Sequence, residues 1–173
     1  MTIEIPKKNA PDSHFEILWQ ECLTNQNSSR LRGSNRDIYF IPEHEDKVLK
    51  VMNRPSHLPN WTEIIVWNSI SDSDKEYFAE VLTWSISGKF LVMERLNTPV
   101  TIQNVIDMFP PILNDRKPEN FGSCNSGNIK VLDYGMIKIP QHNKSYIFED
   151  NLNNAYSNLS SIIFNKFDWH SKI

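Results

Sequence analysis

The sequence predicts a single α+β domain, and two patterns support this prediction. Two pairs of apolar runs, each joined by a short polar connection, are typical of β-hairpins. Segments with apolar residues at helical spacing precede, separate and follow the hairpins. The 173 residues are enough for one sizeable hydrophobic core. An order of hairpin, helix, hairpin, helix, polar loop, strand and helix indicates an α+β protein.

The composition excludes several classes of protein. Apolar residues make up 39% of the chain and charged residues 23%, as in an ordinary soluble globular protein. The net charge of −3 argues against a nucleic-acid-binding surface. The sequence contains neither a signal peptide nor an apolar run long enough for a membrane span. Two cysteines, Cys22 and Cys124, make no disulfide framework. We therefore expect a cytoplasmic protein with no nucleic-acid or membrane partner.

Two helices are predicted in the first half of the chain. Residues 14–23 carry apolar side chains at helical spacing, behind Asp12 or Ser13 as the N-cap. Asn60 is the expected N-cap of a second helix over residues 61–70.

Two more helices are predicted in the second half. Residues 101–108 form the first of them, which Pro110 and Pro111 terminate. Asp150 is the expected N-cap of the last helix. The apolar stripe of that helix consists of Leu152, Ala155, Tyr156, Leu159, Ile162 and Ile163.

The strands are predicted from apolar runs bounded by turn residues. Residues 38–41 and 48–52 form the first hairpin. The second joins the runs 77–86 and 90–96 through the turn Ser87–Gly88–Lys89. A further strand is expected in the sequence IKVLDYG.

A polar loop with the sequence NDRKPENFG holds Asp115, Lys117 and Asn120 at fixed offsets. The motif LDYG follows, with Asp133 and Gly135. Together the two motifs resemble the catalytic loop and the metal-binding motif of the protein-kinase-like family. The sequence KVLKV resembles the kinase strand that carries the nucleotide-binding lysine, and FLVMERL resembles the strand that leads into the hinge.

The resemblance implies a protein-kinase-like fold of two lobes. Residues 13–96 would form an N-lobe with a small antiparallel sheet and one helix, and residues 97–173 a strongly reduced helical C-lobe. The motif Ala-Pro-Glu is missing after DYG, and so is most of the helical platform on which kinases dock peptides. The chain is similar to small kinase-like proteins of bacteria and phages. The apolar surface left by this reduction makes a partner protein or a second copy of the chain a candidate for binding.

The family's chemistry assigns roles to the two motifs. Phosphoryl transfer depends on charge stabilisation and positioning. By resemblance, Asp115 accepts or orients the proton of the substrate hydroxyl, and Lys117 reaches the transferred phosphate. Asn120 and Asp133 supply the amide and carboxylate oxygens that suit Mg²⁺, so ATP and Mg²⁺ are the expected ligands.

Lys50 is expected to bind the nucleotide's phosphates, with Glu63 as its ion-pair partner. Two alternatives remain at this point. Lys50 alternates with apolar residues, so it would face solvent if its strand lay at a sheet edge. Glu63 lies in the first turn of the predicted helix, where the helix dipole alone favours a carboxylate.

Further nucleotide-contacting positions follow from the resemblance. Gly33 is the single glycine of the phosphate-binding loop, where Ser34 and Asn35 would add N–H donors and Arg32 or Arg36 would add charge. Val48 and Leu132 are the candidates for sandwiching the adenine ring. The remaining expected contacts lie in or beside the hinge, at Met93, Glu94 and Leu96, and the Glu94 side chain is expected to be exposed.

Three functions fit these residues. The first is an ATP-dependent kinase that phosphorylates a hydroxyl, as in Ser/Thr protein kinases. The second is a non-catalytic kinase-like module that binds and regulates a partner, which the glycine-poor loop and the reduced platform favour. A small-molecule kinase ranks below these, since the loop spelling DRKPEN is closer to the protein kinases.

Overall fold

The computed structural model describes residues 3–25, 30–54, 58–100 and 115–136. These residues form a mixed α/β structure with two α-helices, a five-stranded antiparallel sheet and a small two-stranded sheet. The helices predicted at 101–108 and after Asp150 lie outside the described residues. Within the described ranges, none of the helices combines the length and the apolar character of a membrane span.

The larger sheet contains both predicted hairpins. Its strands lie in the order β1-β2-β3-β5-β4. They are β1 (Arg30–Arg32), β2 (Arg36–Phe40), β3 (Lys47–Met52), β4 (Val81–Trp84) and β5 (Phe90–Glu94). Gly88, with φ of +73°, lies in the turn between β4 and β5. The short strand β1 was not predicted, because its exposed residues have no apolar pattern.

The sheet is covered on both faces, which places β3 at the centre of the core. Helix α1 (Asp12–Thr24) packs against one face and helix α2 (Pro59–Ser69) against the other. Successive side chains of a strand point to opposite faces, so Leu49 lies on the α1 side and Val48 on the α2 side. This double coverage explains the unbroken apolar run Phe90–Met93 of β5 and the burial of Val48–Val51 in β3.

Helix α1 is not capped by Asp12 or Ser13, although the sequence predicted that it would be. The helix begins at Asp12, and no side chain caps it. The Asp12 carboxylate instead accepts hydrogen bonds from the backbone N–H and the hydroxyl of Ser87, at 3.3 and 2.5 Å. It thereby ties α1 to the turn of the second hairpin.

Helix α2 begins earlier than predicted, at Pro59, so Asn60 lies inside the helix and is not its cap. Proline is favoured in the first helical turn because its fixed φ suits the helix and its missing N–H is not needed there. The Asn60 amide is buried and donates to the carbonyl oxygens of Gly88 and Lys89, at 2.9 and 3.0 Å. Asn60 therefore anchors α2 to the second hairpin.

The smaller sheet pairs β6 (Phe121–Ser123) with β7 (Ile129–Val131). The strand predicted in IKVLDYG therefore ends at Val131, before the LDYG motif. The two-stranded sheet is joined to the larger structure because Asn97 and Ser123 exchange backbone hydrogen bonds of 2.8 and 2.9 Å. Ala79 also donates to the Val131 carbonyl oxygen at 2.8 Å.

Phe78 and three further aromatic residues lie in or against the apolar core on the α2 side of the sheet. Phe78 is fully buried and packs edge-to-face on Tyr134, with ring centroids 5.0 Å apart. The other three are partly buried against the same apolar cluster; they are Trp61, Tyr77 and Trp84.

Phe15 provides a test of the packing between α1 and the sheet. Its fully buried ring stacks on Phe90 at a centroid distance of 6.0 Å. We expect Phe15→Ala to lower the free energy of unfolding by about 3–5 kcal/mol in urea denaturation, because it removes packed apolar surface and leaves a cavity. The matched control is Ile17→Ala on the same helix, where the side chain is 65% exposed and the expected loss is below about 1 kcal/mol. Equal losses would contradict the packing described here.

Candidate functional site

Four charged side chains from four parts of the chain form one cluster. Arg36 comes from β2, Lys50 from β3, Glu63 from α2 and Asp133 from the segment after β7. Lys50 is 2% exposed and Glu63 is fully buried. Two positive and two negative groups balance the formal charge, as burial in a poorly polarisable interior requires.

The Glu63 carboxylate is the centre of this cluster. Lys50 Nζ lies 2.9 and 3.1 Å from its two oxygens. Arg36 Nη1 and Nη2 approach the same oxygens in a two-pronged arrangement at 2.7 and 2.8 Å. The Tyr134 backbone N–H donates to Glu63 Oε1 at 3.1 Å. These donors compensate for the loss of water around a fully buried carboxylate.

The structure thus contains the ion pair between Lys50 and Glu63 that the sequence suggested. Since β3 is a central strand covered on both faces, the alternative in which Lys50 faces solvent at an edge is wrong. The dipole alternative does not describe Glu63 either, because its carboxylate binds two cations. Lys50 Nζ also donates to the Leu132 carbonyl oxygen at 2.7 Å.

Asp133 is the member of the cluster that reaches solvent. Its Oδ1 accepts from Arg36 Nη2 at 2.5 Å and from the Gly135 N–H at 3.2 Å. Its side chain is 34% exposed, whereas those of Arg36 and Glu63 are buried. A ligand from solvent would therefore meet Asp133 first.

Gly135 provides the space that this arrangement needs. A Cβ atom at this position would lie 2.8 Å from Pro59 Cβ and 2.9 Å from Arg36 Nη2. Any side chain would therefore displace α2 or the Arg36 guanidinium. Gly135 of the DYG motif is therefore needed for close packing, and it does not adopt a positive φ.

The electrostatics of the cluster follow from burial and pairing. Burial and the nearby charge of Arg36 lower the pKa of Lys50, although Glu63 and Asp133 oppose this shift. Burial would raise the pKa of Asp133, but the positive charges of Arg36 and Lys50 outweigh it and the pKa is lowered. Burial likewise works against the charge on Arg36, yet Glu63 and Asp133 raise its pKa. Arg36 and Asp133 therefore both stay charged at neutral pH.

The polar loop forms a compact turn of its own. The Asn120 side-chain amide donates to the Asp115 carbonyl oxygen at 2.8 Å. Lys117 Nζ lies 3.2 Å from Asp115 Oδ1. A short 3₁₀ helix, Pro118–Asn120, shapes the loop between these residues. Asp115, Lys117 and Asn120 are thus held together, as their fixed offsets suggested.

A chain of hydrogen bonds joins the polar loop to the charged cluster. The Leu132 N–H donates to the Asn120 carbonyl oxygen at 2.9 Å. The Leu132 carbonyl oxygen accepts from Lys50. The backbone of Leu132 therefore links Lys50 to Asn120, which is in turn bonded to Asp115.

The residues expected around an adenine ring lie in or against one apolar cluster. Val48, Met93 and Leu96 are buried members of the cluster on the α2 side of the sheet. Leu132 is half-buried and packs against the same cluster.

Glu94 differs from the prediction, because its side chain is half-buried and paired rather than exposed. Its carboxylate accepts from Lys130 Nζ at 2.8 Å and from the Glu80 N–H at 3.1 Å. Glu94 lines a separate polar cavity of about 550 Å³, which none of the four clustered residues lines. The Glu94 carboxylate is therefore paired outside the charged cluster.

The glycine-poor turn connects β1 and β2. The Gly33 N–H donates to the Arg36 carbonyl oxygen at 3.0 Å, so this amide is used within the turn. Ser34 is exposed at the tip. The Asn53 N–H donates to the Asn35 carbonyl oxygen at 3.0 Å and holds the turn against the end of β3.

Arg36 is the residue whose importance the sequence analysis underestimated, since it appeared there as one of two arginines that would add charge. A signal was present in the alternation of β2. Ile38 and Phe40 pack on the α2 side of the sheet, and Arg36 shares their face because it precedes Ile38 by two residues. A charged residue on a buried face requires a partner of opposite charge.

Asp133 and Asn120 carry oxygen atoms of the kind that Mg²⁺ binds. In the described part of the chain, no hydrogen-bond donor contacts Asp133 Oδ2 or Asn120 Oδ1. One carboxylate and one amide oxygen are hard ligands, and Mg²⁺ commonly combines such a pair with waters and substrate phosphates. Among the described residues there is no group of three or more His, Cys, Asp or Glu arranged to hold a metal by itself.

Comparisons with known proteins place few constraints on this site. No protein-family model matches the chain, and no curated protein matches it. The structure is similar to that of the Legionella pneumophila Lpg2603 kinase bound to IP6, with 15% sequence identity and a TM-score of 0.32. The match covers 82% of this chain and 72% of the kinase chain. At this TM-score the match does not define the fold or the activity of the present chain.

The central role of Glu63 is tested by its removal. Glu63→Ala leaves Arg36 and Lys50 buried with one carboxylate fewer, so we expect a loss of about 3–5 kcal/mol in the free energy of unfolding. The control is Glu16→Ala, which breaks an exposed ion pair with Lys89 and should cost less than about 1 kcal/mol. Denaturant titration measures both, and similar losses would show that Glu63 does not hold the cluster together.

The lowered pKa of Asp133 predicts a dependence of stability on pH. Its stabilising contribution is complete above the ordinary carboxyl pKa of about 4, and it is lost as the pH falls through the lower pKa of the folded state. Asp133→Asn removes this titration. The difference in unfolding free energy between wild type and variant should therefore be largest near neutral pH and shrink below about pH 4. Urea titrations across this range measure it, and a difference that stays constant with pH would contradict the assignment.

Proposed function

We propose that the chain is an ATP-dependent phosphotransferase of a minimal protein-kinase-like fold, which transfers a phosphate to a hydroxyl group, most directly that of a Ser or Thr side chain. One observation carries the proposal. The buried ion pair between Lys50 and Glu63 is bonded through Leu132 to the loop that holds Asn120 and Asp115. The groups proposed to bind phosphate, metal and a substrate hydroxyl are thereby connected by hydrogen bonds.

The charged cluster suits the phosphate end of a nucleotide. Lys50 is oriented by Glu63 and would donate to phosphate oxygens, as a point charge with several donors can. Asp133 and Asn120 would hold Mg²⁺, which neutralises phosphate charge when it is bound. Val48 and Leu132, with Met93 and Leu96, are the residues proposed to contact an adenine ring; Leu132 is half-buried and the other three are buried. The hinge backbone at Glu94 remains the proposed position for contacts to the edge of the base.

The polar loop suits the acceptor end of the reaction. Asp115 and Lys117 form an ion pair that is partly open to solvent. Asp115 would accept or orient the proton of the attacking hydroxyl, and Lys117 would contact the transferred phosphate. The Asn120 amide donates to the Asp115 carbonyl oxygen, so the loop would hold the Asp115 carboxylate beside the proposed metal ligand Asn120.

A second candidate function is a kinase-like module that binds nucleotide or a partner protein without catalysis. Two observations favour it. The Gly33 N–H is used within its own turn, and Asp133 is paired with Arg36. When the charged groups of a site are already paired with each other, a ligand gains less free energy by binding to them.

Asp115→Asn distinguishes the two functions. We expect this variant to lose phosphate transfer from radiolabelled ATP by at least about a hundredfold, because it removes the general base. Binding of Mg–ATP, measured by thermal shift, should remain, since Asp115 contacts the acceptor and not the nucleotide. The control is Glu119→Gln, an exposed carboxylate in the same loop, which should retain transfer.

The wild-type protein decides whether the enzyme proposal stands. A ligand at a hundredfold excess over Kd stabilises the folded state by about 2.7 kcal/mol. A thermal shift with Mg–ATP but no transfer to the protein itself or to added Ser/Thr substrates would support the binding module. Absence of any shift would overturn the kinase proposal and would leave only a module that binds a partner protein without nucleotide.

A further inference from the structure

We propose that Arg36 is a phosphate-binding residue of this site. Its guanidinium donates a hydrogen bond to Asp133 when the site is empty, and to the polyphosphate of a metal-bound nucleotide when the site is filled. The proposal rests on the proposed function and adds a residue to it. Its chemical target is a magnesium-bound polyphosphate, and it gives the glycine-poor turn a means of binding phosphate.

The position of Arg36 in the chain supports this role. It is the first residue of β2, directly after the turn in which the Gly33 N–H is already used. Its side chain does not extend into solvent from that turn. It points into the cluster beside Lys50, and so this end of the turn contributes a guanidinium next to the proposed phosphate site.

The contacts of Arg36 divide into a fixed side and an exchangeable side. On the fixed side, both terminal nitrogens bind the fully buried Glu63 carboxylate, and Nη1 also donates to Asn60 Oδ1 at 3.1 Å. On the other side, Nη2 donates to Asp133, whose side chain reaches solvent. A ligand that enters the mouth of the cluster can replace Asp133 without disturbing the contacts to Glu63.

Because the charges of the cluster are balanced, the exchange of Arg36 partners would couple the binding of the metal to the binding of the nucleotide. Arg36 and Lys50 are neutralised by Glu63 and Asp133 in the structure. If Asp133 binds a divalent cation through Oδ2, its negative charge no longer balances that of the buried Arg36, which is unfavourable. A phosphate oxygen supplies the missing anion. The metal alone should therefore bind weakly, and metal and nucleotide should strengthen each other's binding.

Arg36→Gln tests the exchange because it should weaken the binding of Mg–ATP and strengthen the binding of Mn²⁺ alone. The variant should bind Mg–ATP about 10- to 100-fold more weakly in calorimetry, the range expected for loss of a hydrogen bond to a charged group. It should bind Mn²⁺ without nucleotide several-fold more tightly in electron paramagnetic resonance titrations, because a competing positive charge has left Asp133. The control is Arg54→Gln, an exposed arginine that follows β3, which should change neither affinity.

Arg36→Lys provides a second variant if Arg36→Gln does not fold. It keeps the positive charge but loses the two-pronged geometry that binds Glu63 and a phosphate together. Its Mg–ATP affinity should fall about tenfold, with little change in the affinity for Mn²⁺ alone. An unchanged Mg–ATP affinity would overturn the proposal.

The remaining outcomes separate this inference from the proposed function. If Arg36→Gln weakens Mn²⁺ and Mg–ATP binding alike, Arg36 only supports the structure and the inference is wrong. If wild type binds Mg–ATP and Arg36→Gln binds it equally well, the inference fails while the proposed function stands. If wild type binds no Mg–ATP, the proposed function itself fails.

Discussion

The Glu63 carboxylate is the group on which the rest of the site depends. It lies fully buried on α2 and binds the cations of β2 and β3, as well as the backbone of the segment after β7. One side chain thus connects four parts of the chain that are far apart in sequence. A buried carboxylate with these donors is stable only if all of them are in place, so the cluster ties the position of α2 to that of the sheet.

The sheet creates the conditions that make this pairing necessary. Because α1 and α2 cover its two faces, β3 is excluded from water and Lys50 needs a partner within the protein. The neighbouring residues then follow from space and hydrogen bonding. Asn60 attaches α2 to the second hairpin, and the small size of Gly135 lets the Arg36 guanidinium lie beside Asp133.

Much of the fold could be predicted from the sequence because its patterns are local. The hairpins and α1 follow from the spacing of apolar residues, and the pairing of Lys50 with Glu63 was implied by the resemblance of the surrounding motifs to the kinase-like family. The strands β1 and β6 lack an apolar pattern long enough to be recognised. Arg36 could not be assigned its partners, since these depend on how β2, α2 and the segment after β7 pack in three dimensions. The contacts of Asn60 and Glu94 could not be predicted for the same reason, since their polar groups bind residues that are distant in sequence.

The central claim is that the cluster around Glu63 is also the binding site of a metal–nucleotide complex. The most direct measurement is a crystal structure with Mn²⁺ and a non-hydrolysable ATP analogue, in which anomalous scattering locates the metal. We predict a manganese peak in contact with Asp133 and Asn120, with the nucleotide's phosphates beside Lys50. A bound nucleotide whose metal lies elsewhere, with Asp133 still paired to Arg36, would contradict the account.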